Sequence, residues 1–176
     1  VFGGGGMDTL YGGQDGDTVF GGNDNDWVYG NKGNDTLSGG ENDDILFGGQ
    51  NEDILYGNTG NDSLNGNMGN DTLYGGQGDD YLAGNNGADL LVGNKGNDTL
   101  VGGEGADTFV FTFGGGNDQV SDYQAGTDSL SFASGLEVTS GTETAGTTTL
   151  QLTDGGTVTL VGVTKTTLME ATGWVL

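Results

Sequence analysis

The sequence contains no histidine, cysteine or proline, and only three of its 176 residues are basic. Without histidine and cysteine there are no imidazole or thiolate metal ligands, no Ser/His or Cys/His nucleophile pairs and no disulfide bonds. No apolar run is long enough to cross a bilayer, and the chain does not open on a charged segment followed by a hydrophobic signal core. These absences argue against an enzyme within this segment, and we expect any catalytic domain to lie upstream of it.

Acidic residues dominate the charge of the chain. There are 26 aspartates and glutamates against the three basic residues, so the formal net charge at pH 7 is −23. A surface of this charge repels phosphates and anionic lipid headgroups. Nucleic acid is therefore excluded as an expected partner, as is an anionic membrane surface.

A nine-residue repeat runs from Gly3 to Val110 without an insertion, which makes twelve units from GGGGMDTLY to GGEGADTFV. Each unit begins with glycine and has an apolar residue at its eighth position. Each unit also has aspartate at its sixth position: Asp8, Asp17, Asp26, Asp35, Asp44, Asp53, Asp62, Asp71, Asp80, Asp89, Asp98 and Asp107. A fixed short period of this kind is typical of a solenoid, in which each unit contacts its neighbours.

The pattern predicts an all-β fold, because glycine at this density destabilises a helix and the apolar residues lack helical spacing. Positions seven to nine of each unit predict a short strand whose middle side chain points inward. Glycine, asparagine and aspartate at positions two and four suit turns that need a positive φ or a close backbone approach. Two units then complete one coil, so the sequence predicts a parallel β-roll, a two-sheet solenoid with eighteen residues per coil.

Stacking of alternate units brings the sixth-position aspartates into columns, with Asp8 near Asp26 and Asp17 near Asp35. Such carboxylates repel one another unless a cation lies between them. Ca²⁺ accepts six to eight oxygen ligands in flexible geometry, whereas Mg²⁺ demands a smaller octahedron. We therefore predict a calcium-binding module, with about ten ions, that is unfolded at cytosolic calcium and folded outside the cell. The alternative is a series of Asx turns with solvated carboxylates.

The units GNKGNDTLS (Gly30 to Ser38) and GGQGDDYLA (Gly75 to Ala83) resemble the nonapeptide GGxGxDxUx of RTX proteins, also known as the hemolysin-type calcium-binding repeat. The resemblance spans Gly3 to Val110. It implies that each Ca²⁺ lies between units n and n+2, held by both sixth-position aspartates and by carbonyls of the glycine-rich positions. The terminal aspartates would then form half-sites.

The segment from Asp107 to Phe132 is similar to the C-terminal cap of serralysin-like RTX proteins, with acidic cap positions matched by Asp118, Asp122 and Asp128 as further metal ligands. We accordingly divide the chain into a β-roll, residues 1–110, and a β-rich cap, residues 111–176. The sequence TTTLQLTDGGTVTLVGV predicts two strands joined at Asp154, closing the end of the roll. Thr167 and Glu170 resemble a capping box before a short last helix.

The resemblance also implies an uncleaved type I secretion signal in residues 111–176, ending here in Gly173-Trp174-Val175-Leu176 with its acid displaced to Glu170. We expect a secreted, extracellular module whose partners are calcium, the type I secretion apparatus and upstream domains of a larger protein. Val1-Phe2 fits positions eight and nine of a preceding unit, which favours such a larger parent.

An alternative function is that of an adhesin, a surface-layer module or a polysaccharide-binding module. Aromatic residues at the ninth position predict either cross-strand stacking or a glycan-docking surface: Tyr11, Tyr29 and Phe47 on one sheet, and Phe20, Tyr56 and Tyr74 on the other. Two weaker alternatives are a glycosidase acid pair at Asp43-Asp44 or Asp79-Asp80 and an ice-binding array of seventh-position threonines. The repeat register disfavours the first, and Trp27 and Tyr81 interrupt the second.

Overall fold

The computed structural model describes residues 1–174 and contains two long sheets. One sheet has eight strands, in spatial order β1 (Phe2–Gly5), β3 (Thr18–Asn23), β5 (Thr36–Glu41), β7 (Ile54–Thr59), β9 (Thr72–Gln77), β11 (Leu90–Lys95), β13 (Thr108–Phe111) and β15 (Ser129–Phe132). The other has ten, in the order β2 (Thr9–Gly13), β4 (Trp27–Lys32), β6 (Ile45–Gln50), β8 (Ser63–Met68), β10 (Tyr81–Asn86), β12 (Thr99–Glu104), β14 (Asn117–Val120), β18 (Thr157–Leu160), β17 (Thr147–Leu152) and β16 (Val138–Thr144).

Successive units alternate between the two sheets, as the eighteen-residue coil requires. Within each sheet the strands of the roll pair in parallel and in register, so that Leu46 lies beside Leu64 and Leu64 beside Leu82. Phe2 pairs with Phe20, which agrees with placing Val1-Phe2 in the register of a repeat unit. The predicted parallel β-roll with two sheets is confirmed.

The strands are longer than the repeat pattern predicts. Each full strand has six residues and continues from positions seven to nine into the first three positions of the next unit, as in Thr36–Glu41. Position two pairs with position two of the neighbouring coil, as Gly22 does with Gly40. Because adjacent coils have the same backbone conformation, they form hydrogen bonds even where φ is positive. Only positions four to six remain as the turn.

The eighth-position side chains form the core of the roll. From Val19 to Phe109 they are at most 1% exposed, whereas Leu10 at the first coil is only partly buried. One side chain per unit fills the space between the sheets, since its strand neighbours point to the opposite face. The apolar core is therefore narrow along the whole length of the roll.

The C-terminal part extends the ten-stranded sheet with a different architecture. Strand β18 pairs in parallel with β14 and antiparallel with β17, so the predicted hairpin around Asp154 is present and covers the last coil of that sheet. A helix, α1, follows at Lys165–Thr172, and its N-cap is Thr164, whose side chain accepts from the Thr167 amide. The expected capping box at Thr167 is therefore misplaced by three residues. No helix in residues 1–174 is long and apolar enough to span a membrane.

Candidate metal centre

The sixth-position aspartates stack in two columns, one along each edge of the roll. From Asp26 to Asp107, Oδ1 accepts a hydrogen bond from the aspartate amide of the preceding coil; for example, the Asp44 amide donates to Asp62 Oδ1 at 2.8 Å and the Asp53 amide to Asp71 Oδ1 at 2.8 Å. From Asp26 to Asp107 these residues are at most 3% exposed. Each side chain is thus fixed in orientation by the backbone of the neighbouring coil.

The second carboxylate oxygen, Oδ2, is both buried and without a hydrogen-bond partner within residues 1–174 in eleven of the twelve repeat aspartates, all except Asp17. These atoms are buried away from solvent. A buried, ionised carboxylate oxygen without a partner is strongly unfavourable, so it needs either a proton or a cation beside it. The orphaned atoms recur at the same place in every unit except that of Asp17.

Each Oδ2 faces the glycine that begins its own unit. A Cβ built on Gly21 would lie 2.5 Å from Asp26 Oδ2 and 2.6 Å from the carbonyl oxygen of Gly39 in the next coil. Gly48 faces Asp53 Oδ2 and the Gly66 carbonyl in the same way. These first-position glycines do not have a positive φ, so they are required for space and not for backbone conformation. We call each such space, between a first-position glycine, Oδ2 and the next coil's carbonyl, a cradle.

The oxygens around each cradle match the chemistry of calcium. They are a carboxylate and backbone carbonyls, the hard ligands that Ca²⁺ prefers. Residues 1–174 contain no group of three or more acidic side chains that could hold a metal by themselves. Any ion along the columns must therefore draw most of its ligands from the backbone, in agreement with the glycine-rich turn.

Burial makes the aspartate columns unfavourable when charged. It raises the pKa of Asp80 to about 8, opposed by the amide hydrogen bond from Asp62 and reinforced by the charges of Asp62 and Asp98. Burial is also the main cause that raises the pKa of Asp44 and Asp89 to about 7. At neutral pH the ionised columns thus carry a charge that the protein alone does not compensate.

Positions two and four carry the strained backbone that the sequence predicts. Asparagines at position two have φ between 72° and 82°, and those at position four, Asn42 and Asn51, have φ of 76° and 78°. Asp24 at position four also has a positive φ, whereas Asp15 does not. The explanation of the Gly/Asn/Asp pattern therefore holds at these positions, with Asp15 as an exception in the second unit.

The three cap aspartates differ from one another in their bonding. Asp118 continues one column, accepting from the Asp98 amide at 3.1 Å, and burial raises its pKa to about 7. Asp128 ends the other column, with its two oxygens bonded to the amides of Asp107 and Gln124. Asp122 lies outside both columns and binds the amides of Gly102 and Gly103 at 2.9 and 2.8 Å.

A second ladder was not found by the sequence reasoning. At position five of alternate units, the Asn61 amide donates to Asp43, the Asp79 amide to Asn61, and the Asn97 amide to Asp79. Asn97 accepts in turn from the Asn117 amide. The signal in the sequence is asparagine or aspartate recurring at this position every eighteen residues.

This second ladder also bears on the two Asp-Asp pairs. In both pairs the second residue, Asp44 or Asp80, is buried in a column. The first residue, Asp43 or Asp79, is exposed and accepts a backbone amide in the second ladder. The two carboxylates of a pair therefore belong to different hydrogen-bonded ladders.

The ninth-position aromatics stack face to face across the strands. Tyr29 lies 5.0 Å from Tyr11 and 5.1 Å from Phe47, and Tyr56 lies 5.1 Å from Tyr74, all with interplanar angles of at most 12°. Of the two predictions for these residues, cross-strand stacking is the arrangement present. In each stacked pair, one face of each ring lies against its neighbour.

Comparison with known proteins gives a family and structural likenesses to solved proteins. The family described as RTX calcium-binding nonapeptide repeat (4 copies) matches residues 2–37, 20–55, 47–82, 74–109 and 83–120. No catalytic family matches the chain. No curated protein matches it significantly.

Two solved structures are similar in part. The extracellular lipase LipA from Serratia marcescens is 19% identical, with a TM-score of 0.39, over 92% of this chain and 38% of the lipase. The AlgE6R3 subunit of the Azotobacter vinelandii mannuronan C5-epimerase is 27% identical, with a TM-score of 0.42, over 69% of this chain and 72% of that one. The chain thus spans well under half the length of the lipase.

The family match extends from residue 2 to residue 120, over more than half of the 176-residue chain, and covers all twelve units whose aspartates form the columns. The chain belongs to the family of RTX calcium-binding nonapeptide repeats.

Proposed function

We propose that this chain is a calcium-dependent folding module of a larger secreted protein. The observation that carries the proposal is the series of buried, unpartnered Oδ2 atoms, each facing a cradle too small for a Cβ. About ten calcium ions would be held along the columns, since each needs oxygens from two successive coils. The proposed ligands are the twelve repeat aspartates from Asp8 to Asp107 with the neighbouring backbone carbonyls, and Asp118 at the end of one column.

Each aspartate has two roles in this proposal. From Asp26 onwards, Oδ1 accepts the aspartate amide of the preceding coil and fixes the side chain, while Oδ2 is held at the cradle beside a carbonyl of the next coil. Calcium supplies the positive charge that these oxygens lack. Because the core contains one apolar side chain per unit, the columns, and not the core, determine whether the roll is stable.

Asp122 and Asp128 have a structural role in the proposal. Both oxygens of each already accept backbone amides. They therefore order the chain at the junction of roll and cap without needing an ion. If either also contacts calcium, it does so through the remaining lone pairs of its oxygens.

Export follows from the same charge balance. At the low calcium of the cytosol the columns repel and the chain stays extended, which suits passage through a type I secretion channel. Millimolar extracellular calcium then folds the roll outside the cell. The terminal residues Val175 and Leu176 of the expected secretion signal lie outside the described part of the chain.

Circular dichroism tests the proposal directly. In chelator the chain is expected to give a disordered spectrum, and calcium is expected to convert it to a β spectrum with several ions bound per chain. Magnesium at the same concentration serves as the control and should not produce the conversion. A metal-free chain that keeps the full β spectrum at pH 7.5 would contradict the proposal.

A further inference from the structure

Two grooves on opposite faces of the roll share one construction. One lies across β4, β6 and β8 and has a volume of about 490 Å³; the other lies across β7, β9 and β11 and has a volume of about 520 Å³. The central strands read Phe47-Gly48-Gly49-Gln50 and Tyr74-Gly75-Gly76-Gln77. In both, the two flanking strands carry asparagine where the central strand carries its second glycine.

Gly49 and Gly76, which have no side chain, form the floors of the two grooves. Gly49 pairs with Asn31 on one side and Asn67 on the other, and Gly76 pairs with Asn58 and Asn94. Both glycines have φ above 120°, and a Cβ on either would overlap the carbonyl oxygen of its asparagine partner in the preceding coil, Asn31 or Asn58. The backbone of the preceding coil therefore excludes any side chain at the floor of the groove.

The walls of each groove combine aromatic and amide groups. On one side lies a stacked pair, Tyr29 with Phe47 or Tyr56 with Tyr74. On the other side lies a glutamine, Gln50 or Gln77. The amide groups provide both donors and acceptors close to an apolar surface, which is a common composition for ligand sites.

The charge around the grooves differs from that of the rest of the protein. Among the described residues that line them, none is acidic, although the chain has 26 acidic residues. Two of its three basic residues, Lys32 and Lys95, each line one groove. Each lysine is the register partner of the groove's glutamine. The grooves are thus places where a negatively charged ligand meets a cation and no carboxylate in the lining.

We propose that each of the two grooves binds a segment of an acidic carbohydrate chain. The C–H faces of a pyranose pack on the aromatic wall, its hydroxyl groups pair with the amides, and its carboxylate pairs with the lysine. A peptide fits less well, because the strands at the floor are already paired on both sides and offer no edge for an added strand. The proposal rests on the calcium-folded roll, whose bound ions offset the net negative charge that otherwise repels an acidic polymer.

Calorimetry with a short oligogalacturonate in excess calcium tests this proposal, with the methyl-esterified oligomer as the uncharged control and with the heat of injecting each oligomer into the calcium buffer alone subtracted. We expect two binding sites per chain and at least about tenfold weaker binding of the ester. The double variant Lys32→Met, Lys95→Met should weaken oligogalacturonate binding by about tenfold or more. Lys165→Met removes the same charge from the cap, where its amine bonds the Gly141 carbonyl, and should leave binding unchanged.

Equal binding of both oligomers, equal losses in the groove and cap variants, or no binding of either oligomer would each overturn the proposal. Phe47→Ala with Tyr74→Ala provides a second variant, and unchanged binding there would also overturn it. The circular dichroism of each variant in calcium confirms that the roll is folded. A chain that folds without calcium would contradict the proposed function but leave the grooves intact, so the two proposals fail separately.

Discussion

The roll and the cap satisfy their carboxylates in opposite ways. In the roll, an aspartate such as Asp62 uses Oδ1 for a backbone amide and leaves Oδ2 buried and unpartnered. At the junction with the cap, Asp122 bonds amides through both oxygens, and so does Asp128. A carboxylate with two amide partners is stable without metal, whereas one with a buried free oxygen is not.

The apolar core is also narrower in the roll than in the cap. The roll buries one eighth-position side chain per unit. The cap buries alternating residues on β17 and β18, such as Leu150, Leu152 and Val158, and adds Leu168 from the helix. Stability in the cap therefore comes from apolar burial, whereas under the proposed function the stability of the roll depends on calcium bound along the columns.

Removing calcium should separate the two regions most strongly. In chelator we expect the amides of β4 to β10 to lose hydrogen-exchange protection by about 100-fold or more, because the columns repel. The amides of β17 and β18 should lose less, since their hydrogen bonds and packing do not involve the columns. Hydrogen exchange followed by mass spectrometry measures both regions together, and an equal loss in both would contradict the comparison.

Filling one cradle should have the next largest effect. A Cβ at Gly57 would overlap Asp62 Oδ2 and lie 2.5 Å from the Gly75 carbonyl. We expect Gly57→Ala to abolish at least one calcium site and to destabilise the calcium-bound roll by about 1–3 kcal/mol. Calorimetric ion counting and thermal unfolding measure these effects.

Gly5→Ala is the matched control, because Gly5 has open space around it and lacks a positive φ. It should leave both the ion count and the unfolding temperature nearly unchanged. If the two alanine variants lose calcium equally, the first-position glycines do not act by leaving space for an ion.

Neutralising one carboxylate in each region should give effects of opposite calcium dependence. Asp62→Asn keeps an acceptor for the Asp44 amide but removes a buried charge, so it should weaken calcium binding and favour residual structure in chelator. Asp122→Asn places an amide nitrogen against a backbone donor and should cost about 1–3 kcal/mol in calcium. Calcium titrations and urea unfolding of both variants distinguish these outcomes, and lost ion binding in Asp122→Asn alone would reverse the assignment.

A pH titration in chelator should give the smallest effect. Burial raises the folded-state pKa of Asp80 to about 8 and that of Asp53 to about 7, above the usual value of 3.8. This contribution to the stability of the metal-free roll is therefore complete below the ordinary aspartate pKa and is lost as the pH rises through the folded-state values of about 7 to about 8. We expect β structure in chelator to increase as the pH falls from about 8 to about 4. Circular dichroism that is independent of pH would contradict this.

Much of the roll could be predicted because its determinants are local and repeated. The sixth-position aspartates, the eighth-position core and the left-handed positions of Asn31 and Asn42 follow from period and residue type alone. The column geometry followed from stacking units n and n+2. Repetition turns a local preference into a register, because a shift would have to occur in every coil.

Other features depend on contacts that the sequence does not encode locally. The first-position glycine is required by Oδ2 five residues later and by a carbonyl in the next coil, and a turn preference alone does not indicate this. The N-cap of the helix is Thr164 and not Thr167, since the Lys165 amide bonds Glu143 and Leu168 packs into the cap. Thr164 and Thr167 lie in similar local sequences, and only these distant contacts determine which of them caps the helix.

Because successive units alternate between the sheets, two units face the same side only when they lie an even number of units apart. If a single unit were inserted, every ninth-position side chain before the insertion would lie on the opposite face relative to those after it. If two units were inserted, the relative placement of the side chains would not change. The two aromatic grooves lie an odd number of units apart, so they open in opposite directions. Lengthening the array outside them would preserve that arrangement, and a single added unit between them would bring both to one side.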